Sequence, residues 1–197
     1  MDTKGITNYI MGDMLGKGNF GVVYAARHCM TGQEVAIKFE IYGLSPSLLQ
    51  HEARVLLCLK GSAGIPKVIG YGVFGGIKYL IMERMVDKVT QDTLLSFDKT
   101  LSDVIIELES LLRRIHSKGF VHRDVKPDNI MFDVSGNLTL IDFGFATNYS
   151  GKSKKSKSAK VVGTKAFLGP LGLEGFICPE VDKEGAKKTI EFYESNL

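Results

Sequence analysis

The chain has 197 residues and a formal charge of +3, with 44% hydrophobic and 24% charged residues, so it fits one domain or two small lobes of a folded soluble protein, and a polyanionic partner is neither required nor forbidden. No stretch approaches the ~20 apolar residues of a membrane span, and the first eight residues lack the apolar core of a signal peptide, so no membrane association is expected. Three cysteines, Cys29, Cys58 and Cys178, have no metal-ligand spacing and an odd count, which suits reduced thiols in a cytoplasmic or nuclear setting.

The first eighty-odd residues read mostly as strands. Tyr9 to Leu15, Gly21 to His28 and Glu34 to Ile41 carry β-branched or aromatic residues and are separated by glycine-bearing turns. Gly16-Lys17-Gly18-Asn19-Phe20-Gly21-Val22-Val23 has the spacing G-x-G-x-x-G-x-V. The dinucleotide-binding fingerprint shares these glycines but needs a helix directly after them. Here a strand comes next, which points to a hairpin folding over phosphates, with glycines letting the backbone amides approach.

In Val35-Ala36-Ile37-Lys38-Phe39, alternation puts Ala36 and Lys38 on one sheet face and the other three opposite. A helix is expected next, capped by Ser45 with Pro46 at its first position, running to about Lys60 and ended by Gly61 and Gly64. Its apolar stripe of Leu48, Val55, Leu56 and Leu59 also contains Glu52. A carboxylate facing a core is costly unless paired, and Lys38 is the natural partner. The blander alternative is a Glu52 that reaches solvent from the helix edge. Lys67 to Val73 and Ile77 to Glu83 then flank Gly75-Gly76 as a hairpin.

Beyond Glu83 the character changes. Leu101, Val104, Ile105, Leu108, Leu111, Leu112 and Ile115 recur at helical spacing, which predicts an amphipathic helix from Leu101 to Lys118. Ile130 to Asp133 and Leu138 to Ile141 read as a second hairpin. His122-Arg123-Asp124-Val125-Lys126-Pro127-Asp128-Asn129, with Asp142-Phe143-Gly144 downstream, is the most specific pattern in the chain. Phosphoryl transfer asks a protein mainly for positioned charge. Asp124 can orient a substrate hydroxyl and Lys126 can sit beside the transferring phosphate. Asn129 and Asp142 offer hard oxygen ligands to Mg²⁺, brought together by the returning hairpin. His122 and Phe143 are expected to pack between lobes rather than do chemistry.

With these residues in view, the chain resembles the eukaryotic protein kinases, and specifically the casein kinase I family. Thr31 to Glu40, Gly64-Ile65-Pro66, and Ile115 to Val121 running into His122 are similar to that family, and the likeness covers roughly residues 9 to 165. It implies an α+β bilobal fold: an N-lobe over residues 1–85 with a five-stranded sheet and one helix, and a reduced, mainly helical C-lobe over 86–197. It implies ATP and Mg²⁺ as cofactors and protein serine or threonine hydroxyls as acceptors, on acidic or already phosphorylated proteins. Lys38 and Glu52 join Asp124 and Lys126 as the catalytic set. Leu15, Gly16, Gly18, Gly21, Val23, Ala36 and Met131 would surround the nucleotide, with Met82 beside adenine and the backbone of Glu83 and Met85 binding it. The alternative is a pseudokinase or scaffold that binds nucleotide or a partner without turnover; a kinase of small alcohols fits less well, given Lys126.

Gly163-Thr164-Lys165-Ala166-Phe167 looks like the end of an activation segment, but the residues after Phe167 depart from the family. Cys178-Pro179-Glu180 is faintly similar to the Ala-Pro-Glu of other kinases, yet it lies too far downstream of Gly163-Thr164. The family's central buried C-lobe helix is expected to have no counterpart, with at most a final helix striped by Ile190, Tyr193 and Leu197. Self-association or an activating partner is therefore expected to cover the shortened lobe. Gly151 to Lys160 is rich in lysine and serine. It suits a solvated loop, a basic shelf for acidic substrates, or self-phosphorylation at Ser153, Ser156 or Ser158 with Arg123 as the phosphate's partner. Nucleic-acid binding is not expected, because no stacking aromatics are interleaved with the lysines.

Overall fold

The structure, a computed structural model, describes residues 4–18, 21–40, 47–149 and 161–197. It falls into two compact units, Met1–Gly61 with Pro66–Met85, and Ser62–Ile65 with Val86–Leu197.

The first unit is built on five antiparallel strands. In chain order they are β1 (Tyr9–Gly18), β2 (Gly21–His28), β3 (Glu34–Glu40), β4 (Val68–Phe74) and β5 (Ile77–Glu83), arranged β1-β2-β3-β5-β4. Alternation divides β3 as its sequence dictates. Val35 and Ile37 bury against Ala26, Tyr79, Ile81 and Ile6, and Phe39 packs beside them. Ile6 comes from a four-residue helix, α1 (Lys4–Thr7), which has no precursor in the sequence pattern. The opposite face of β3 carries Ala36 and Lys38. Helix α2 spans Leu48–Cys58 and buries Leu49, Glu52, Ala53, Val55 and Leu56. Ser47 is its N-cap, with the side chain accepting the Gln50 amide. Ser45 and Pro46, the expected cap and first position, lie outside the described residues, as do Asn19 and Phe20 of the glycine turn.

In the second unit, β6 (Asp87–Lys88), β8 (Ile130–Phe132) and β9 (Leu138–Leu140) form a small sheet ordered β6-β8-β9, and β7 (Phe120–Val121) pairs with β10 (Thr147–Asn148). Helix α3 (Gln91–Ser96) precedes α4 (Leu101–Ser117), whose buried stripe is Val104, Leu108, Leu111, Leu112 and Ile115. Both begin with a capping box, Thr90 with Thr93 and Thr100 with Asp103. Two further helices complete the unit, α5 (Pro170–Leu173) and α6 (Pro179–Asn196).

Helix α6 corrects the expectation that no central helix exists. Pro179 occupies its first turn, where a missing N–H costs nothing. Its buried face is Val181, Asp182, Gly185, Ala186, Thr189 and Tyr193. The true stripe begins earlier in the chain than expected: Tyr193 is buried, but Ile190 is half-buried and Leu197 lies past the helix end. Val181 and Cys178 bury against Val121, so the Cys-Pro-Glu segment is the start of this helix. No helix among the described residues is long and apolar enough to cross a membrane.

Candidate active site

In the first unit, the strand register gathers the predicted nucleotide residues into two rows. Gly16 pairs with Val23, Val23 with Lys38 and Lys38 with Leu80. Ala36 pairs with Met82. Directly opposed residues share a face, so Val23, Ala36, Lys38 and Met82 point to the same side of the sheet. That is the side on which Glu52 of α2 meets Lys38. The Nζ–Oε2 distance is 2.7 Å, and Glu52 is 2% exposed. The buried carboxylate that the helical stripe presented as an anomaly therefore has its cation.

The three glycines of the turn differ in their physical reason. A Cβ at Gly16 or Gly18 would meet nothing within 4 Å, whereas at Gly21 it would lie 2.4 Å from the carbonyl oxygen of Phe39. Gly21 is thus required by the close approach of β2 to β3, while the space that a side chain would fill at Gly16 and Gly18 is open. Leu15 is exposed, and Met85 is buried. The Glu83 amide donates to the Lys67 carbonyl at 2.9 Å.

In the second unit, β7 leads into the catalytic segment and β8 leaves it. Asp124 is buried. Its Oδ1 accepts the Thr164 amide at 2.7 Å, and its Oδ2 accepts Asn129 Nδ2 at 3.1 Å and faces Lys126 Nζ at 3.0 Å. Lys126 also donates to the Thr164 hydroxyl at 2.7 Å. Asp124, Lys126 and Thr164 thus form one polar triangle. The Asn129 amide nitrogen is committed to Asp124, to its carbonyl at 2.9 Å as well as to its carboxylate, so Oδ1 is the atom that could meet a cation.

The β8–β9 hairpin pairs Ile130 with Leu140, and the Ile141 amide donates to the Asn129 carbonyl at 2.8 Å. Asp142 is therefore delivered beside Asn129, half-buried and in the left-handed region at φ 64°. An amide oxygen and a carboxylate suit Mg²⁺, which takes one or two protein oxygens and fills its octahedron with phosphate and water. Among the described residues no group of three or more histidine, cysteine or acidic side chains could hold a metal by itself.

His122 is fully buried and packs edge-on against Phe143, with ring centroids 4.7 Å apart. Its Nδ1 accepts the Asp124 amide at 3.2 Å, so Nε2 carries the proton and donates to the Ile141 carbonyl at 3.1 Å. Burial holds its pKa below the ordinary value, against the charges of Asp182, Asp124 and Asp142 that push it up. It is a neutral packing residue that fixes the loop.

One residue of this machinery belongs to none of the sequence motifs. Asp182, 1% exposed, accepts the His122 amide at 2.8 Å, the Arg123 amide at 2.7 Å and His116 Nε2 at 2.8 Å. It anchors the catalytic segment from α6 and secures Arg123 at φ 71°. A signal for it does exist: Val181, Asp182, Ala186, Thr189 and Tyr193 make a helical stripe containing one acid, as with Glu52. Gly163, in the expected end of the activation segment, carries a constraint that the motif alone does not state. Its φ is 100°, and a Cβ there would lie 2.3 Å from the Arg123 carbonyl oxygen. Met131 is half-buried on β8. The lysine–serine stretch with Ser153, Ser156 and Ser158 lies outside the described residues.

The family model for the protein kinase domain matches residues 9–182, most of the chain. The chain belongs to the protein kinase family.

Proposed function

We propose that the chain is an MgATP-dependent protein serine/threonine kinase of casein kinase I type, acting on acidic or phosphate-primed proteins. The observation that carries this reading is the polar triangle around Asp124. A buried carboxylate held by an amide N–H, a carboxamide and a lysine is fixed in its aim, as a group that orients a hydroxyl must be. Lys126 stands next to it, placed to meet a phosphoryl group as it leaves ATP. Thr164 ties both residues to the segment that an acceptor peptide would follow, and the exposed neighbouring Lys165 suits an acidic acceptor.

From the first unit, Lys38 binds nucleotide phosphates while Glu52 holds its ammonium in place. Gly16 and Gly18 offer amides to the same phosphates. Val23, Ala36, Met82 and Leu15 form apolar walls for the base, and Glu83 and Met85 bond it through their backbone. Asn129 and Asp142 hold Mg²⁺, which when bound neutralises phosphate charge.

The test is phosphate transfer from γ-labelled ATP to casein, followed by phosphoamino-acid analysis. Label on serine or threonine is expected, and Lys38→Met or Asp142→Asn should abolish it in protein that stays folded. Undiminished transfer by either variant, or label confined to tyrosine, refutes the assignment. Nucleotide binding without turnover by the wild type would instead favour a pseudokinase.

A further inference from the structure

Glu40 closes β3 and is 8% exposed, an unusual place for a carboxylate. Its two oxygens accept the Ser47 hydroxyl at 2.7 and 2.8 Å, and Oε1 also accepts the Leu49 amide at 3.1 Å. Lys78 of β5 lies 3.3 Å away. Burial pushes the carboxyl's pKa up, but the bonds from Ser47, Leu49 and Lys78 outweigh it and hold the group below its ordinary value. Ser47 in turn accepts the Gln50 amide at 3.2 Å. Carboxylate and cap together satisfy first-turn N–H groups of α2, where a negative charge is favoured.

Lys38 stands two residues earlier on β3, on the same face. The strand therefore grips the helix twice, with reversed polarity. Its carboxylate holds the Leu49 amide and the Ser47 cap at the first turn, and its ammonium holds the helix carboxylate, Glu52, about one turn further on. A helix turns by about 100° per residue, so a slip of a single position would carry Glu52 away from Lys38. One contact alone would leave that rotation open; two contacts of opposite sense close it.

We propose that Glu40 is a positioning residue, setting the rotation and height of α2 on β3 so that Glu52 meets Lys38. The functional meaning rests on the reading of Lys38 as the phosphate-binding lysine. The geometric claim does not.

The test is competitive trace acetylation of the folded full chain with acetic anhydride, quantified at each lysine by mass spectrometry. Glu52→Gln should raise the reactivity of Lys38, relative to the other lysines, by about threefold or more, and Glu40→Ala should do the same. The double variant should add nothing beyond Glu52→Gln alone, because both changes break one device. Where the alanine variant does not fold, Glu40→Gln keeps the volume while losing the charge, and a smaller rise at Lys38 is expected. A Lys38 as protected in the Glu40 variants as in the wild type overturns the proposal. So do single effects that multiply in the double variant, since they would mean that Glu40 is an independent structural contact. Wild-type chain that transfers no phosphate would sink the kinase reading and leave the acetylation result to decide this one.

Discussion

Asp182 concentrates three donors on one buried carboxylate, so its removal is costly in a specific way. Asp182→Ala takes the shared acceptor from the buried His122 amide, the part-buried Arg123 amide and one nitrogen of His116, at roughly 3 kcal/mol or more. Urea unfolding should show a midpoint lowered accordingly, with transfer activity reduced in protein that remains folded. A variant as stable and as active as the wild type would mean that the catalytic segment is held by other means. Tyr193 is the opposite case. Its hydroxyl is buried without a hydrogen-bond partner among the described residues, and burial, then the charge of Asp128, pushes its pKa up, so it stays neutral. Tyr193→Phe deletes an unsatisfied polar atom and keeps the ring that packs near Phe192, with centroids 6.0 Å apart. Thermal unfolding should show that variant equal to the wild type or more stable, by up to about 1 kcal/mol. A clear loss would reveal a partner for the hydroxyl.

Among the elements, α4 shows how far local chemistry reaches. Thr100 caps it, and Asp103 returns the bond to the Thr100 amide at 2.8 Å and to its hydroxyl at 2.6 Å. Thr100→Ala should cost about 1 kcal/mol of stability. The Asp103 carboxyl is held below its ordinary value by the Thr100 hydroxyl first and the Thr100 amide second. A depressed carboxyl contributes stability that is complete above the unfolded-state pKa and is lost as pH falls through the folded one. Thr100→Ala should therefore flatten the acid limb of the stability profile below about pH 4. An unchanged limb would contradict the cap's role in it.

Such elements are legible in sequence because their signals are local. Strands Gly21–His28 and Ile77–Glu83 have the bounds that alternation and glycine punctuation predict, and α4 ends one residue short of its expected close. The short pairings of β6, β7 and β10 are not legible, because two residues carry no period and are set by their neighbours. Helix α1 is four residues held by one buried side chain, Ile6. The expected stripe of Ile190, Tyr193 and Leu197 covers only the last turns of α6, because Gly185 and Thr189, small residues that face the interior, weaken the pattern that runs from Val181 to Tyr193. Gly185 sits where a Cβ would lie 3.1 Å from the Val125 carbonyl oxygen, a tertiary reason invisible to periodicity.

On the scale of the whole molecule, two independently packed units each carry a charged device. One is a lysine on a strand, held by helix α2. The other is a carboxylate on a loop, held by Thr164, by Asn129 and, through the loop backbone, by helix α6. The acids that fix them, Glu52 and Asp182, are buried on helical stripes, so the same rule that reads one reads the other. The measurement that bears most directly on this account is label transfer from γ-labelled ATP to casein and to the chain itself, wild type beside Asp124→Ala, with the two proteins matched for folding by circular dichroism. Transfer by the wild type and a loss of about a hundredfold or more in the variant is the expected result. Equal transfer by both proteins would contradict it.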